Sequence, residues 1–326
     1  MSSPSIAWKN LLTFAGTQEF ERHDIAAQMN ARGRYDVALD TEFPLLIKLF
    51  HFSSHHHTRG ATWHERLELF LPLDGPARFR MGAENLRLKA GDLLVVDNLK
   101  LHHVVDFPGF DTRVVVISFL PNFIYSLGSP SHDYSFLLPF YTRAPRQSPV
   151  LPAGHAVAQL VYASIQVLLQ RYFVKHTSAF REAGCKAALL ECLFHLARHF
   201  RHAEVARLEF FRHQEHSLQL KKLFDHISQD PSQKLSVPAA ARLAGMSPVP
   251  FMKMFKKVSG MTLVAYLNHV RLTRAAQLLR EGSRSVAEIA LECGFSDQSY
   301  LDRLFKRAFS VTPKEFRRQA LTPRPG

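Results

Sequence analysis

Residues 236–247, SVPAAARLAGMS, return 49 positions later as SVAEIALECGFS at 285–296. Beyond that point the offset becomes 50: FMKMFKK at 251–257 matches LDRLFKR at 301–307, and Thr262 matches Thr312. Self-similarity of this kind dictates two copies of one supersecondary unit. Each copy reads as a helix-turn-helix. Ser236 and Ser285 are N-caps of a short first helix, and Gly245 and Gly294 end it where a left-handed residue is needed. Ser247 caps the second helix of the first copy, with Pro248 at its first position and Pro250 still in the first turn. Ser296 or Asp297 caps the second helix of the second copy. Phe251, Met254 and Phe255 predict a buried stripe, as do Leu301, Leu304 and Phe305. Between them Val249, Met252, Lys253 and Lys256, and in the second copy Ser299, Asp302, Arg303 and Lys306, point outward.

Charge follows the repeat. Residues 217–326 hold 18 Lys and Arg against 8 Asp and Glu, a net of +10 out of the chain's +13. One third of the chain thus carries most of the positive excess, and an anionic partner is expected there. Phosphate contacts supply that kind of sequence-independent attraction.

The segment GMSPVPFMKMFKKVSGMTLVAYLNHVRLTRAAQLL, followed by SVAEIALECGFSDQSYLDRLFKRAFSVTPKEFRR, resembles the AraC-type DNA-binding domain from about Leu218 to Arg318. The resemblance implies a long helix, about Leu263–Arg280, joining units at 236–262 and 285–312. It further implies that both second helices enter successive major grooves. Residue by residue, Val249, Met252 and Lys253 of the first unit and Gln298, Ser299 and Arg303 of the second would read bases. Met252 stands where the family often has a polar residue, so apolar contact with a thymine methyl is its expected role. Arg303 is the candidate for bidentate guanine recognition, and Lys256, Lys257, Lys306 and Arg307 for phosphate. Ser310 replaces the glycine that Gly260 supplies in the first unit.

Residues 44–120 differ in kind. LLIKLFHF, LELFLPL, ARFRMG, NLRLKA, DLLVVD and TRVVVISFL are short β-rich runs separated by Asp74-Gly75-Pro76, Gly82, Gly91-Asp92, Asp97-Asn98 and Pro108-Gly109. Spacing of this order predicts a small sandwich or barrel. Residues 121–152, rich in Pro, Ser and Gly, read as a long loop or linker. Two helical stripes follow: Val157, Leu160, Val161, Ser164, Ile165, Leu168 and Leu169, then Cys185, Ala188, Leu189, Cys192, Leu193 and Leu196. These helices cover the sheet, pair between subunits, or do both. Cys185 and Cys192 lie roughly 10 Å apart along a helix, too far for a disulfide, and with Cys293 they read as reduced core residues of a cytoplasmic protein. Residues 1–14 show no secretory signal, and no 18-residue apolar run predicts a membrane span.

AraC-type regulators often carry a cupin-like N-terminal domain, which residues 51–119 resemble. WHERLELFLPLDG is similar to the first cupin motif and LKAGDLLVVDNLKLHHV to the second. Metal-binding cupins place a histidine where this chain has Thr62. Three ligands remain conceivable from His64, Glu68 and one of His102 or His103, since strand alternation puts His64 and Glu68 on one face. The run His55–His57 reads as a loop, because consecutive side chains do not converge on one ion. Trp63, His64, Glu68 and His102 are instead assigned to an effector pocket, with no metal and no cofactor expected.

The fold class expected is therefore multidomain β plus α. Residues 1–145 form a cupin-like sensor with covering helices, 146–216 a helical linker or dimerisation region, and 217–326 an all-α DNA-binding domain. The function expected is a transcription regulator, not an enzyme. Its partners are double-stranded DNA, a small-molecule effector, a second copy as homodimer, and RNA polymerase if it activates. A metal-dependent cupin enzyme with a DNA-binding tail, and a sensor domain that only dimerises, remain open alternatives.

Overall fold

The computed structural model describes residues 5–22, 39–40, 42–53, 64–97, 100–109, 111–126, 129–130, 132–141, 147–173, 180–200, 206–282, 284–309 and 311–321. Helix α1 (Ile6–Gly16) opens on Ser5, whose hydroxyl accepts from the Trp8 amide. Strands β1 (Glu21–Arg22), β2 (Leu45–Phe52), β3 (Leu67–Pro72), β4 (Ala77–Met81), β5 (Glu84–Leu88), β6 (Leu93–Val96), β7 (His102–Asp106), β8 (Thr112–Phe119) and β9 (Val150–Leu151) build two sheets. The larger has the order β1-β2-β8-β3-β6-β9 and the smaller β5-β4-β7, so the barrel-or-sandwich expectation takes the form of two separate sheets. Gly82, with φ +59°, makes the two-residue turn between β4 and β5 possible.

Alternation sorts the side chains of the larger sheet into two cores. Leu45, Ile47 and Leu49 of β2, Leu67, Leu69 and Leu71 of β3, and Val115, Ile117 and Phe119 of β8 face the helical layer. Phe50, Phe52, Phe70, Leu94, Val96 and Val114 face the smaller sheet, meeting Phe79, Met81 and Val104. Burial on both faces explains why these strands are so continuously apolar.

The segment expected as a loop is partly ordered into α2 (Pro121–Ile124), a 3-10 turn at Asp133–Leu137, and α3 (Leu138–Tyr141). Its Leu137, Leu138 and Phe140 are buried in the helix-side core, an apolar content that outweighs the local Pro and Ser signals. Helices α4 (Ala156–Phe173) and α5 (Arg181–His199) cover the same sheet face. The α5 stripe is buried as expected. On α4, Leu160 is 47% exposed instead, and Ala158 and Tyr162 take the buried row. Tyr162 donates its hydroxyl hydrogen to the Gly91 carbonyl at 2.5 Å, which turns that face of α4 to the sheet. All three cysteines are buried and free.

Helix α6 (Ala206–Gln229) runs without interruption across residue 216, where a boundary was expected. Its Phe210 belongs to the N-terminal core, whereas Leu220, Leu223, Phe224 and Ile227 belong to the next one. Then follow α7 (Val237–Leu243), α8 (Pro248–Ser259), α9 (Leu263–Glu281), α10 (Val286–Glu292), α11 (Gln298–Phe309) and α12 (Pro313–Leu321). Helix α9 serves two cores: Leu263, Tyr266 and Leu267 enter the first unit, and Leu272, Ala275, Ala276, Leu278 and Leu279 the second. It spans the two units.

Candidate functional site

The second helix of each unit is positioned by its caps and by one apolar stripe. Helix α8 begins at Pro248 after Ser247 and ends at Gly260, whose φ of +77° lets its amide reach the Lys256 carbonyl at 3.1 Å. Phe251, Met254, Phe255 and Val258 are buried, which leaves Val249 (59% exposed), Met252 (47%), Lys253, Lys256 and Lys257 on the open face. Helix α11 is capped by Asp297, the second of the two candidates, whose Oδ1 accepts from the Tyr300 amide at 2.7 Å. That bond, with the Ser296 hydroxyl, holds the Asp297 carboxyl below its ordinary range. Leu301 and Phe305 are buried while Ser299, Arg303, Lys306 and Arg307 are exposed.

Two of the expected readers have local partners. Gln298 is half-buried and donates to Asp302 Oδ2 at 3.3 Å. The Arg303 guanidinium lies over the Tyr300 ring, 5.3 Å from its centroid, and Tyr300 in turn accepts from Asn268 of α9. This stack pre-orders Arg303 at little further entropic cost. Among the described residues, no carboxylate comes within ion-pair distance of Lys253, Lys256, Lys257, Lys306 or Arg307. Their charge is available to an external anion.

A second constellation lies between the sheets. His64 and His102 are buried, and their Nε2 atoms approach to 3.1 Å. Glu68 Oε1 is 3.2 Å from His64 Nε2, and its Oε2 is 3.7 Å from His102 Nε2. The three ligand-type atoms lie within 4.8 Å of one another. His64 Nδ1 meets the Arg66 carbonyl at 3.1 Å and His102 Nδ1 the Lys100 carbonyl at 2.7 Å. A carbonyl only accepts, so both Nδ1 atoms carry hydrogen, and the two Nε2 atoms are left facing each other and Glu68. Burial lowers His64 to about 4, outweighing the opposing pull of Glu68. Burial pushes the Glu68 carboxyl up, but its interactions with His64, His102 and Arg66 outweigh it and hold it well below the carboxylate range. Two imidazole nitrogens and a carboxylate thus converge on one point between the sheets.

Two participants were not expected. Ser118 stands directly opposite Glu68 in the β3–β8 register and donates to Oε1 at 2.7 Å. Arg66, also buried, brings Nε to 3.7 Å from the same oxygen. His64 itself precedes β3 rather than lying on it, held by its local bond to the Arg66 carbonyl. Its meeting with Glu68 therefore comes from a bend and not from strand alternation. His103 points the other way, out of the sandwich. Trp63, Thr62 and His55–His57 fall outside the described residues.

A helix-turn-helix domain profile matches residues 240–319. The chain is similar to the HTH-type transcriptional activator RhaR of Mannheimia succiniciproducens, 40% identical over 98 residues, which cover 30% of this chain but only 36% of that protein. It is 36% identical over 125 residues to the transposon Tn10 TetD protein of Escherichia coli, covering 38% of this chain and 91% of the relative. A crystal structure of ToxT from Vibrio cholerae O395, bound to (E)-4-(8-methylnaphthalen-1-yl)but-3-enoic acid, shares the fold at a TM-score of 0.50 and 13% identity. It covers 85% of this chain and 99% of ToxT. No helix among the described residues is long and apolar enough to cross a membrane.

Proposed function

The chain belongs to the AraC-type family of helix-turn-helix transcription regulators, and from that premise we propose that it binds specific duplex DNA and adjusts transcription in response to a ligand in its N-terminal domain. The observation that carries the DNA reading is the pairing of α8 and α11. Each offers an exposed basic face, and one rigid helix, α9, anchors both. Val249, Met252, Lys253, Gln298, Ser299 and Arg303 read bases; Lys256, Lys257, Lys306 and Arg307 hold phosphate. A homodimer in the cytoplasm, contacting RNA polymerase when it activates, completes this reading. No reaction is assigned to the chain.

In the sensor domain, His64, Glu68 and His102, with Trp63 beside them in sequence, bind the effector. The cluster suits a ligand that brings a hydrogen-bond donor or positive charge to three converging acceptors. A second reading rests on the two opposed Nε2 atoms. His64, Glu68 and His102 are a donor set for a divalent cation such as zinc, with both imidazoles oriented by backbone carbonyls and a position left for another ligand. Such an ion would act as a Lewis acid in the metal-dependent cupin enzyme that forms the alternative.

Full-length protein titrated onto duplexes from upstream of its own gene tests the first reading. Affinity is expected to fall steeply between about 50 and 200 mM salt. Binding that ignores salt, or fails on every duplex, overturns it. Metal analysis of the purified protein separates the two sensor readings: a stoichiometric transition metal that is lost in His64→Ala favours the cation.

A further inference from the structure

The hydrophobic core of the first helix-turn-helix unit contains a side chain from the sensor domain. Leu101, 2% exposed, does not join the sandwich interior beside it in sequence. It packs in the cluster formed by Leu220, Leu223 and Phe224 of α6, residues of α7 and α8, and Leu263 and Tyr266 of α9. The second unit differs: its buried core is drawn entirely from residues 272–316.

Strand parity explains how one short segment faces two ways. In β7, His102, Val104 and Asp106 point into the sandwich, so Leu101 and His103 point out of it. His103 stacks on His269 of α9 with ring centroids 6.3 Å apart and planes 28° apart. The contact is one of ring faces.

Backbone meets backbone next to this. The Gly82 amide donates to the Leu101 carbonyl at 2.7 Å, which ties the β4–β5 turn to the same edge. A Cβ built on Gly82 would lie 3.2 Å from Gly260 Cα, and one built on Gly260 would lie 3.3 Å from Gly82 Cα. Gly260 is the left-handed cap that ends the first recognition helix. Lys221 of α6 closes the flank with an ion pair to Glu65 at 2.5 Å.

We propose that the edge formed by Gly82, Leu101 and His103 is a docking site on the sensor domain for the first helix-turn-helix unit. The sensor completes that unit's core and sets the pose of α8, while the second unit's buried core takes no side chain from that domain. The faces that would meet DNA stay open: Val249, Met252 and Lys253 lie away from the docked end. His102 sits between the two docking residues in the chain, so whatever shifts it shifts them. That last link rests on the ligand reading given above, whereas the docking does not.

The test is hydrogen–deuterium exchange of the full-length protein, wild type against Leu101→Ala. Removing a buried leucine side chain is expected to speed exchange about tenfold or more in peptides from residues 248–267. Residues 286–309 should change less than about twofold. Equal acceleration in both units, or none in the first, overturns the proposal. A second pair guards against general unfolding by Leu101→Ala. Gly82→Ala and Gly109→Ala both place alanine at positive φ, but only Gly82 faces Gly260; nothing lies within 4 Å of a Cβ at Gly109. Gly82→Ala should loosen the 248–267 peptides and Gly109→Ala should not; identical profiles overturn the docking. If the docking is seen but no ligand protects His102, the ligand reading fails alone.

Discussion

The two helix-turn-helix units descend from one pattern and are built to different ends. The first is capped without acids: Ser236 and Thr262 accept from the Ala239 and Ala265 amides, Ser247 makes no side-chain cap, and no acid stands in the first turns of α7, α8 or α9. Its core borrows Leu101 from another domain, and its exposed reading face begins with Val249 and Met252. The second unit is self-sufficient. Ser285 and Glu288 form a reciprocal capping box, Asp297 caps α11, and Glu315 accepts from the Thr312 amide and hydroxyl before α12. The face proposed to read bases carries Gln298, Ser299 and an Arg303 stacked on Tyr300. A unit fixed from outside can contribute position with little polar readout. A unit whose core borrows nothing from the other domain needs its own stability.

The largest expected effect sharpens this contrast in stability. Phe305 is fully buried among Phe309, Phe316 and the α9 residues of the second core. Phe305→Ala should cost about 3–5 kcal/mol. Thermal or denaturant melting followed by peptide exchange should locate the loss in residues 272–316. A single transition lost together with residues 248–267 would show that α9 makes the units one cooperative body and would break the comparison.

Readout comes next in size. Arg303→Ala should relax preference at one base pair by about 1–3 kcal/mol. Met252→Ala should cost less, because it removes only apolar contact. Lys306→Ala should weaken all sequences alike and lower the salt slope by about one. Binding to a library of randomised sites measures all three. A Met252 effect as large as that of Arg303 would contradict the division of labour.

Acid is the smallest lever. Backbone and hydroxyl hydrogen bonds from Ser285 hold the Glu288 carboxyl below its ordinary 4.5, and those from Thr312 do the same for Glu315. A carboxyl lowered in the folded state contributes stability fully above its unfolded value, and that contribution fades as pH falls through the folded value. The second unit should therefore lose exchange protection first as pH drops below about 4.5. Ser285→Ala should remove the Glu288 share of this difference and leave that of Glu315. Both groups are exposed, so the effect should shrink in high salt.

What was legible in the chain was what is encoded locally. The repeat, the caps at Ser236, Ser285 and Asp297, the left-handed glycines, and α9 all follow from spacing and short-range chemistry. The α5 stripe read correctly for the same reason, while Leu160 sat at the edge of its stripe, where periodicity no longer decides which neighbour turns inward. The sensor cluster was half-legible. His64, Glu68 and His102 were named, but Ser118 arrives through a strand register fifty residues away in sequence, which a single chain does not disclose. The run of α6 through residue 216 was hidden by its dense charge and histidine, which resembles a linker. Leu101 was hidden most completely, because outward parity says only that a side chain leaves its own domain and not where it lands.

The contact between Gly82 and Gly260 has a bearing on modular engineering. DNA-binding cassettes of this family invite exchange between sensors, as if the junction were a passive tether. Here two turns meet so closely that a methyl group on either would press on the other's backbone, and a leucine crosses the seam. A transplanted cassette would need a glycine at that helix end and a vacancy of leucine size in its own interior. Without both, the graft would join two healthy folds that no longer speak to each other.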